Sequence, residues 1–312
     1  MGEINMEKIY VIGHKNPDTD TTISAIAMAN FLNTITRTEN YIPVTTAKIN
    51  SETEFVLNKF GYVAPEILED ATDKKLFLVD HNEQSQWVNG ASAENILGFV
   101  DHHKIKFENS FPIEIITKPW GCTCTIIYYL FEGQNIEVPK ELKPLMLCAM
   151  LSDTVILKSV TTTKRDKKYV EDISQELEID YKEIGMEMFK AKAQISNKTA
   201  DEIIHNDFKN FDFNAGKFGI GQIETPDLTD VVARADEIKS KMQELVESEG
   251  YHSMIIMLTD IIEVGSKLLV VSKDENKIAE IFNTTIDDGL SEFLPSVMSR
   301  KKQIMPKLSE KF

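Results

Sequence analysis

Residues 8–20 read KIYVIGHKNPDTD and decide the fold of the first half of the chain. The apolar run at 8–12 predicts a short buried strand. The Asn-Pro pair disfavours helix before Asp18, so the polar residues that follow the strand are expected in a loop. A helix is predicted next, at residues 22–35. A strand, a loop and a helix in this order are typical of a parallel sheet covered by helices.

Two further apolar runs, at 76–80 and 97–101, repeat this pattern, and both end in polar side chains. Helices are predicted at 122–132, 139–153, 164–177 and 181–192. Ligands of open α/β sheets bind beyond the carboxyl ends of the strands, so the polar clusters at these ends are expected along one crevice. The first domain is therefore predicted to be α/β, with a parallel sheet and flanking helices.

The second half predicts a smaller, mixed α/β domain. Strands are expected at 208–213, 217–223, 253–258 and 267–271, a short helix at 198–205 and one long helix at 227–249. A chain of 312 residues exceeds the usual size of a single hydrophobic core. We therefore expect a first domain at 1–192, a linker at 193–197 and a second domain at 198–312.

Composition narrows the possible partners and location. The chain has 34 basic and 50 acidic residues and a net charge of −16, which repels the phosphates of DNA and RNA. The longest apolar run, at 145–151, is far shorter than the ~20 residues of a membrane-spanning helix. No secretion signal is evident, and the three cysteines are expected to be reduced thiols. These features predict a cytoplasmic protein without nucleic-acid or membrane partners.

Side chains suited to binding metal ions gather at the ends of these elements. His14, Asp18 and Asp20 fall within seven residues, and Asp80 ends the run at 76–80, where a carboxylate can bridge two cations. Taken singly, Asp18 or Asp20 is also compatible with capping the helix, and a lone Asp80 is more often a turn or capping residue. His81 is excluded from the ligands because successive side chains of a strand point to opposite faces.

Two more segments complete the candidate site. In Asp101-His102-His103, the carboxylate can orient an imidazole, one histidine can bind a metal and the other can face substrate. Asp153 closes an apolar helix, where an ionised group requires a partner or a metal. Nitrogen and oxygen donors without cysteine suit Mn²⁺, Co²⁺, Mg²⁺ or Zn²⁺. Two ions would lower the pKa of a shared water and neutralise phosphoryl oxygens.

Five motifs carry a resemblance to a known family: GHKNPDTD (13–20), VDHNE (79–83), VDHH (100–103), LSD (151–153) and SRKKQ (299–303). In order and spacing they closely resemble the family II inorganic pyrophosphatases of the DHH superfamily. The resemblance implies a DHH domain followed by a DHHA2-type domain, with the active site between them. It also implies that pyrophosphate is hydrolysed to two phosphates by a hydroxide that bridges two metals.

The resemblance assigns a role to each matching residue. One metal would be bound by His14, Asp18 and Asp80, and the other by Asp20, Asp80, His102 and Asp153. Asp80 would bridge the metals, and His103 would act as the catalytic histidine that faces the substrate. The implied substrate-binding residues are His103, Lys209, Arg300 and Lys301. The resemblance further implies two Mn²⁺ or Co²⁺ ions per subunit, additional Mg²⁺ with the substrate, and a homodimer formed through the N-terminal domains.

Two other functions remain open at this stage. Exopolyphosphatases of the same superfamily share this type of second domain, although His14 as an additional ligand favours a pyrophosphatase. A noncatalytic phosphate-binding protein would be expected to lack a ligand, and every ligand position carried over here is filled. The nuclease and phosphodiesterase branches carry a GGGH-like segment that is absent from this sequence.

Overall fold

The computed structural model describes residues 7–312, which divide into two compact units, the first ending at Lys192 and the second spanning Ala193–Phe312. The strands of the first unit are β1 (Ile9–Ile12), β2 (Tyr41–Thr45), β3 (Glu66–Ile67), β4 (Lys75–Val79), β5 (Ile96–Asp101) and β6 (Glu114–Thr117). The helices associated with it are α1 (Thr19–Thr36), α2 (Ser51–Lys59), α3 (Thr123–Gly133), α4 (Lys143–Asp153), α5 (Lys164–Leu177) and α6 (Tyr181–Ala193).

All neighbouring strands of the first sheet are parallel, in the order β3-β2-β1-β4-β5-β6. The chain builds outward from β1 on one side and then continues with β4 on the other, so the strand order reverses between β1 and β4. A crevice opens at such a reversal, at the carboxyl ends of the strands. This arrangement confirms the parallel α/β fold predicted for the first domain and places the ends of β1, β4 and β5 side by side.

The first helix begins earlier than predicted. Asp18 is the N-cap of α1, and its side chain accepts a hydrogen bond from the Thr21 amide. Helix α1 therefore starts at Thr19 instead of residue 22, which places Asp20 in the first helical turn and not in a loop. The Asp18 side chain therefore caps α1 and remains a candidate metal ligand as well.

The second unit contains a mixed sheet. Its strands are β7 (Phe208–Phe213), β8 (Gly216–Thr225), β9 (Ser253–Asp260), β10 (Gly265–Ser272), β11 (Ile286–Asp287), β12 (Leu290–Ser291) and β13 (Leu294–Pro295). Strands β8 and β9 are parallel, and the other pairs are antiparallel. Its helices are α7 (Ala200–Ile204), α8 (Thr229–Val232), α9 (Ala235–Glu249), α10 (Glu275–Phe282) and α11 (Met305–Lys311). A separate apolar core covers each face of this sheet.

The prediction of one long helix at 227–249 is wrong, because the segment forms two helices, α8 and α9, with a break at Arg234. The Arg234 guanidinium donates hydrogen bonds to the carbonyls of Ile195 and Lys198, at 2.6 and 2.7 Å. It also forms an ion pair with Glu237 in the first turn of α9. These contacts hold the chain at Arg234 against the segment before α7. The spacing of apolar residues along a helix gives no sign of such distant contacts.

None of the helices within residues 7–312 is long and apolar enough to cross a membrane.

Candidate metal centre

Asp80 lies at the centre of the site, directly after β4. Its side chain is 2% exposed, and its backbone adopts a left-handed conformation with φ of 61°, which aspartate tolerates better than most residues. Oδ2 lies 3.5 Å from Nε2 of His14, and Oδ1 lies 3.4 Å from Nε2 of His102. The two carboxylate oxygens therefore face two different imidazoles, which is the geometry a bridging ligand requires.

Two threonine hydroxyls hold the Asp80 carboxylate in this orientation. Thr21 Oγ1 donates to Oδ2 at 2.5 Å, and Thr123 Oγ1 donates to Oδ1 at 3.0 Å. Thr21 belongs to the first turn of α1, and Thr123 is the first residue of α3. Sequence reasoning missed both residues, because isolated threonines at helix starts carry no signal of what they will contact.

The first group of candidate ligands consists of His14, Asp18 and Asp80. His14 follows β1, and its Nε2 lies 3.4 Å from Asp18 Oδ2 as well as near Asp80. One donor atom from each of the three residues lies within 4.8 Å of the others, so a single ion could contact all three. Asp18 presents one oxygen to this group while the other caps α1.

The second group consists of Asp20, Asp80, His102 and Asp153, whose donor atoms also lie within 4.8 Å of one another. His102 Nδ1 lies 3.0 Å from the Trp120 carbonyl, which fixes the ring with Nε2 toward Asp80 and Asp153. Asp153 is the last residue of α4 and lies 3.6 Å from His102 Nε2. Asp80 is common to both groups.

Asp20 is completely buried and is held by the start of α3. The amides of Thr123 and Cys124 donate to its two oxygens at 2.7 and 3.0 Å, and Cys122 Sγ and Ser24 Oγ lie 3.0 Å from Oδ1. A helix N-terminus stabilises negative charge through its free amides and its dipole. These contacts compensate part of the cost of burying a carboxylate beside Asp80.

Burial and neighbouring charges shift the pKa values of these groups. Burial lowers the pKa of His14, but hydrogen bonds and attraction from Asp18 and Asp80 outweigh it and raise the value to about 10. Burial is likewise outweighed at His102, where Asp80 and Asp20 raise the pKa to about 9. The pKa of Asp20 is raised to about 6 by burial and by the charge of Asp80.

Two further carboxylates show opposite shifts. Burial and the charges of Asp20 and Asp80 raise the pKa of Asp153 well above its usual range. Burial would raise the pKa of Asp80 too, but hydrogen bonds and attraction from His102 and His14 lower it instead. The site thus concentrates more carboxylates than its imidazolium groups can neutralise. Its imidazole and carboxylate donors fit divalent ions such as Mn²⁺, which would balance this charge.

His103 forms a further group of possible ligands with Asp80 and His102, but its ring is held by Asp101. Its Nδ1 and its backbone amide both contact Asp101 Oδ1, at 2.9 and 3.0 Å. Asp101 is fully buried and accepts a 2.6 Å hydrogen bond from the Asn82 side chain on its other oxygen. The hydrogen bond to Asp101 raises the pKa of His103, whose ring is 55% exposed. His103 is therefore held by Asp101 at the edge of the site.

An open cavity of about 400 Å³ gives access to these groups. It is lined by His14, Asn16, Asp18, Asp80, His81, Asn82, Glu83, Gln86, His102, His103, Lys104 and Asp153. His81 lies outside both ligand groups; its Nδ1 is 2.9 Å from the Val79 carbonyl, and burial lowers its pKa to about 4. The structure thus brings together the six predicted metal ligands and His103, and leaves His81 neutral.

The three predicted substrate-binding cations belong to the second unit. Lys209 lies on β7, and Arg300 and Lys301 begin a π-helical segment, Arg300–Ile304. Arg300 is buried and donates to the Asp207 carbonyl, to the Ile220 carbonyl at 3.2 Å and to the Asp207 carboxylate at 2.8 Å. Both lysines are exposed, and neither forms an ion pair within residues 7–312.

Comparison with known proteins agrees with this geometry. Residues 8–151 match the family model described as "DHH family, N-terminal domain", and residues 186–311 match the one described as "DHHA2 domain". A crystal structure from Methanococcus jannaschii, assigned to family II inorganic pyrophosphatases, is 40% identical with a TM-score of 0.61. The match covers 97% of this chain and 98% of that one.

Curated relatives cover the chain almost completely. The manganese-dependent inorganic pyrophosphatase of Methanothrix thermoacetophila is 42% identical, over 98% of this chain and 99% of the relative. The manganese-dependent inorganic pyrophosphatase of Methanocaldococcus jannaschii is 41% identical, over 97% of this chain and 99% of the relative. The chain therefore belongs to the family of manganese-dependent inorganic pyrophosphatases that join a DHH domain to a DHHA2 domain.

Proposed function

We propose that this protein hydrolyses pyrophosphate to two phosphates in a manganese-dependent reaction. The observation that carries the proposal is the position of Asp80, whose two oxygens each face a separate group of imidazole and carboxylate donors. The names of the relatives at 41–42% identity support the same substrate and the same metal.

We propose that each subunit holds two Mn²⁺ or Co²⁺ ions, with Asp80 as the common ligand. One ion would be held by His14, Asp18 and Asp80, and the other by Asp20, Asp80, His102 and Asp153. When bound, such a pair supplies water activation at neutral pH and charge stabilisation on the phosphoryl group. Additional Mg²⁺ would enter with pyrophosphate, whose oxygens carry several negative charges.

His103 is proposed to act on the substrate itself. The Asp101 carboxylate accepts a hydrogen bond from Nδ1–H, which leaves Nε2 directed away from Asp101 and available to a phosphate oxygen. The raised pKa of His103 favours a ring that carries a proton on Nε2 as well. Such a ring can donate that proton to the leaving phosphate.

Lys209, Arg300 and Lys301 are proposed to bind phosphate oxygens. The Arg300–Asp207 contact holds the start of β7 beside residue 300, so that Lys209 and Lys301 come from one connected region. Nε of Arg300 takes part in none of the hydrogen bonds described for residues 7–312, which leaves one edge of the guanidinium for a phosphate. Flexible lysines beside a fixed arginine are suited to an anionic ligand.

We also propose a homodimer formed through the first unit and a cytoplasmic location. β6 is an end strand of the first sheet, and Ile115 on it is 47% exposed. Leu97 on the adjacent strand β5 and Phe111 in the loop before β6 are also exposed. An unpaired edge with exposed apolar side chains is suited to a second copy of the chain.

The proposed cytoplasmic location is supported by the cysteines. All three are free and buried, as expected for a protein kept in a reducing compartment.

Asp80→Asn should abolish hydrolysis, because an amide offers one acceptor oxygen where the carboxylate offers two charged ones. Loss of a residue that only supports a metal ligand lowers activity by ~10–100-fold. Loss of a ligand common to both ions should lower it further, so we expect kcat to fall by at least ~10²-fold. Asp73→Asn is the matched control, because Asp73 is exposed and has a similar left-handed φ of 58°. Phosphate release is measured after chelation and re-addition of Mn²⁺.

The same assay separates the possible substrates. Pyrophosphate, tripolyphosphate and long-chain polyphosphate are supplied to the wild type, and Mn²⁺-restored release from pyrophosphate is the expected result. Preference for long chains would assign the protein to the exopolyphosphatases. No release from any of the three would indicate a noncatalytic phosphate-binding protein.

His103→Gln should lower kcat by about 10²–10⁴-fold while Mn²⁺ affinity stays within about 3-fold of the wild type, because general acid catalysis is lost and both ligand groups are kept. His205→Gln is the control, since His205 is exposed and its Nδ1 also contacts an oxygen acceptor, the Asp201 carbonyl. Unchanged kcat in His103→Gln would remove His103 from the mechanism.

Ile115→Lys should convert a dimer to a monomer in sedimentation velocity, because a buried ammonium at the edge of β6 would oppose association. Ile67→Lys is the matched control: Ile67 is 51% exposed on β3, at the opposite edge of the same sheet. A monomeric wild type, or a dimer that survives Ile115→Lys but not Ile67→Lys, would contradict the proposed interface.

A further inference from the structure

Glu52 is a buried carboxylate that lies behind the metal ligands and is not one of them. It occupies the first turn of α2, and its side chain is 1% exposed. One oxygen, Oε1, accepts two hydrogen bonds: from Thr19 Oγ1 at 2.6 Å and from Ser152 Oγ. The two donors lie 33 and 100 residues away in the chain.

Both donors are direct neighbours of candidate ligands. Thr19 lies between Asp18 and Asp20, and Ser152 immediately precedes Asp153. Thr19 Oγ1 is also 3.1 Å from Thr53 Oγ1, so the first turn of α2 contacts it twice. Glu52 therefore connects the start of α1 to the end of α4, the two helix ends that supply carboxylates to the second ligand group.

The energetics do not favour Glu52 as a stabilising residue. Burying a carboxylate is costly unless charge and hydrogen bonds compensate it. Lys192 Nζ is 3.5 Å from the other oxygen, Oε2, but within the described chain Oε2 accepts no hydrogen bond. The Lys192 side chain is 54% exposed, so this ion pair adds little net stability. The clearest contacts of Glu52 are the two hydrogen bonds that hold Thr19 and Ser152 in position.

We propose that Glu52 is a positioning residue that fixes the distance between the Asp18–Asp20 turn and Asp153, and so sets the affinity for Mn²⁺. This inference rests on the metal centre proposed above. Contacts behind a ligand orient it before the ion arrives, and their loss costs about 10–100-fold in metal affinity. Because Oε1 of Glu52 accepts hydrogen bonds from both Thr19 and Ser152, the relative position of the two ligand segments depends on this one side chain.

The test is the Mn²⁺ affinity of the full-length protein, measured by titration calorimetry after chelation. Thr19→Val and Ser152→Ala each remove one hydroxyl and keep nearly the same shape. Each should weaken Mn²⁺ binding by about 10-fold or more. The double variant should bind Mn²⁺ about as tightly as whichever single variant has the lower affinity. The reason is that either substitution alone already disconnects the two segments.

Two further comparisons control this experiment. Thr34→Val lies on the same helix as Thr19, and its exposed hydroxyl contacts only the Asn30 carbonyl among the described hydrogen bonds, so it should leave Mn²⁺ affinity unchanged. Glu52→Gln keeps an acceptor oxygen and the side-chain shape, so it should retain more affinity than Glu52→Ala. Thermal unfolding of each metal-free variant separates positioning from stability.

Removal of a hydroxyl that serves a buried carboxylate should lower the unfolding temperature somewhat. Weaker Mn²⁺ binding that does not scale with this loss of stability across the variants is the expected result. Unchanged affinity in both single variants, or losses that add in the double variant, would overturn the inference. Losses that merely follow the unfolding temperature would also overturn it and make Glu52 an ordinary structural residue. A wild type that binds no Mn²⁺ would instead refute the proposed metal centre, so the two failures are distinguishable.

Discussion

The rest of the site depends on one constraint: the buried carboxylate of Asp80 faces two different imidazoles, one with each oxygen. Its oxygens must face His14 on one side and His102 on the other, at 3.5 and 3.4 Å. This is possible because β4 lies between β1 and β5 in the sheet, so that the ends of all three strands meet at the reversal of strand order.

The same constraint explains the charge balance of the first unit. Burial raises the pKa of Asp20 and Asp153, and repulsion between carboxylates packed within a few ångströms raises it further. The fold compensates locally, with the start of α3 donating to Asp20 and threonine hydroxyls donating to Asp80. A net charge of −16 does not by itself oppose binding of a small polyanion, because cations bound at the site would decide the local potential.

The sequence was sufficient to place side chains whose position follows from the end of a strand. His14, Asp80 and His102 could be predicted because each follows or ends an apolar strand, and the ends of parallel strands converge. Thr21, Thr123 and Glu52 could not, because their function is a hydrogen bond to a residue 33 to 100 positions away. The break at Arg234 escaped prediction for the same reason, since the contacts that fix it come from residues 195 and 198.

The central claim, that Asp80 is shared between two ions, is tested most directly by anomalous diffraction at the manganese absorption edge, on crystals of the wild-type protein grown with Mn²⁺. The account predicts two manganese peaks per subunit, one nearest each oxygen of Asp80, with His14 beside the first and His102 beside the second. A single peak, or two peaks that do not have Asp80 as a common ligand, would contradict it.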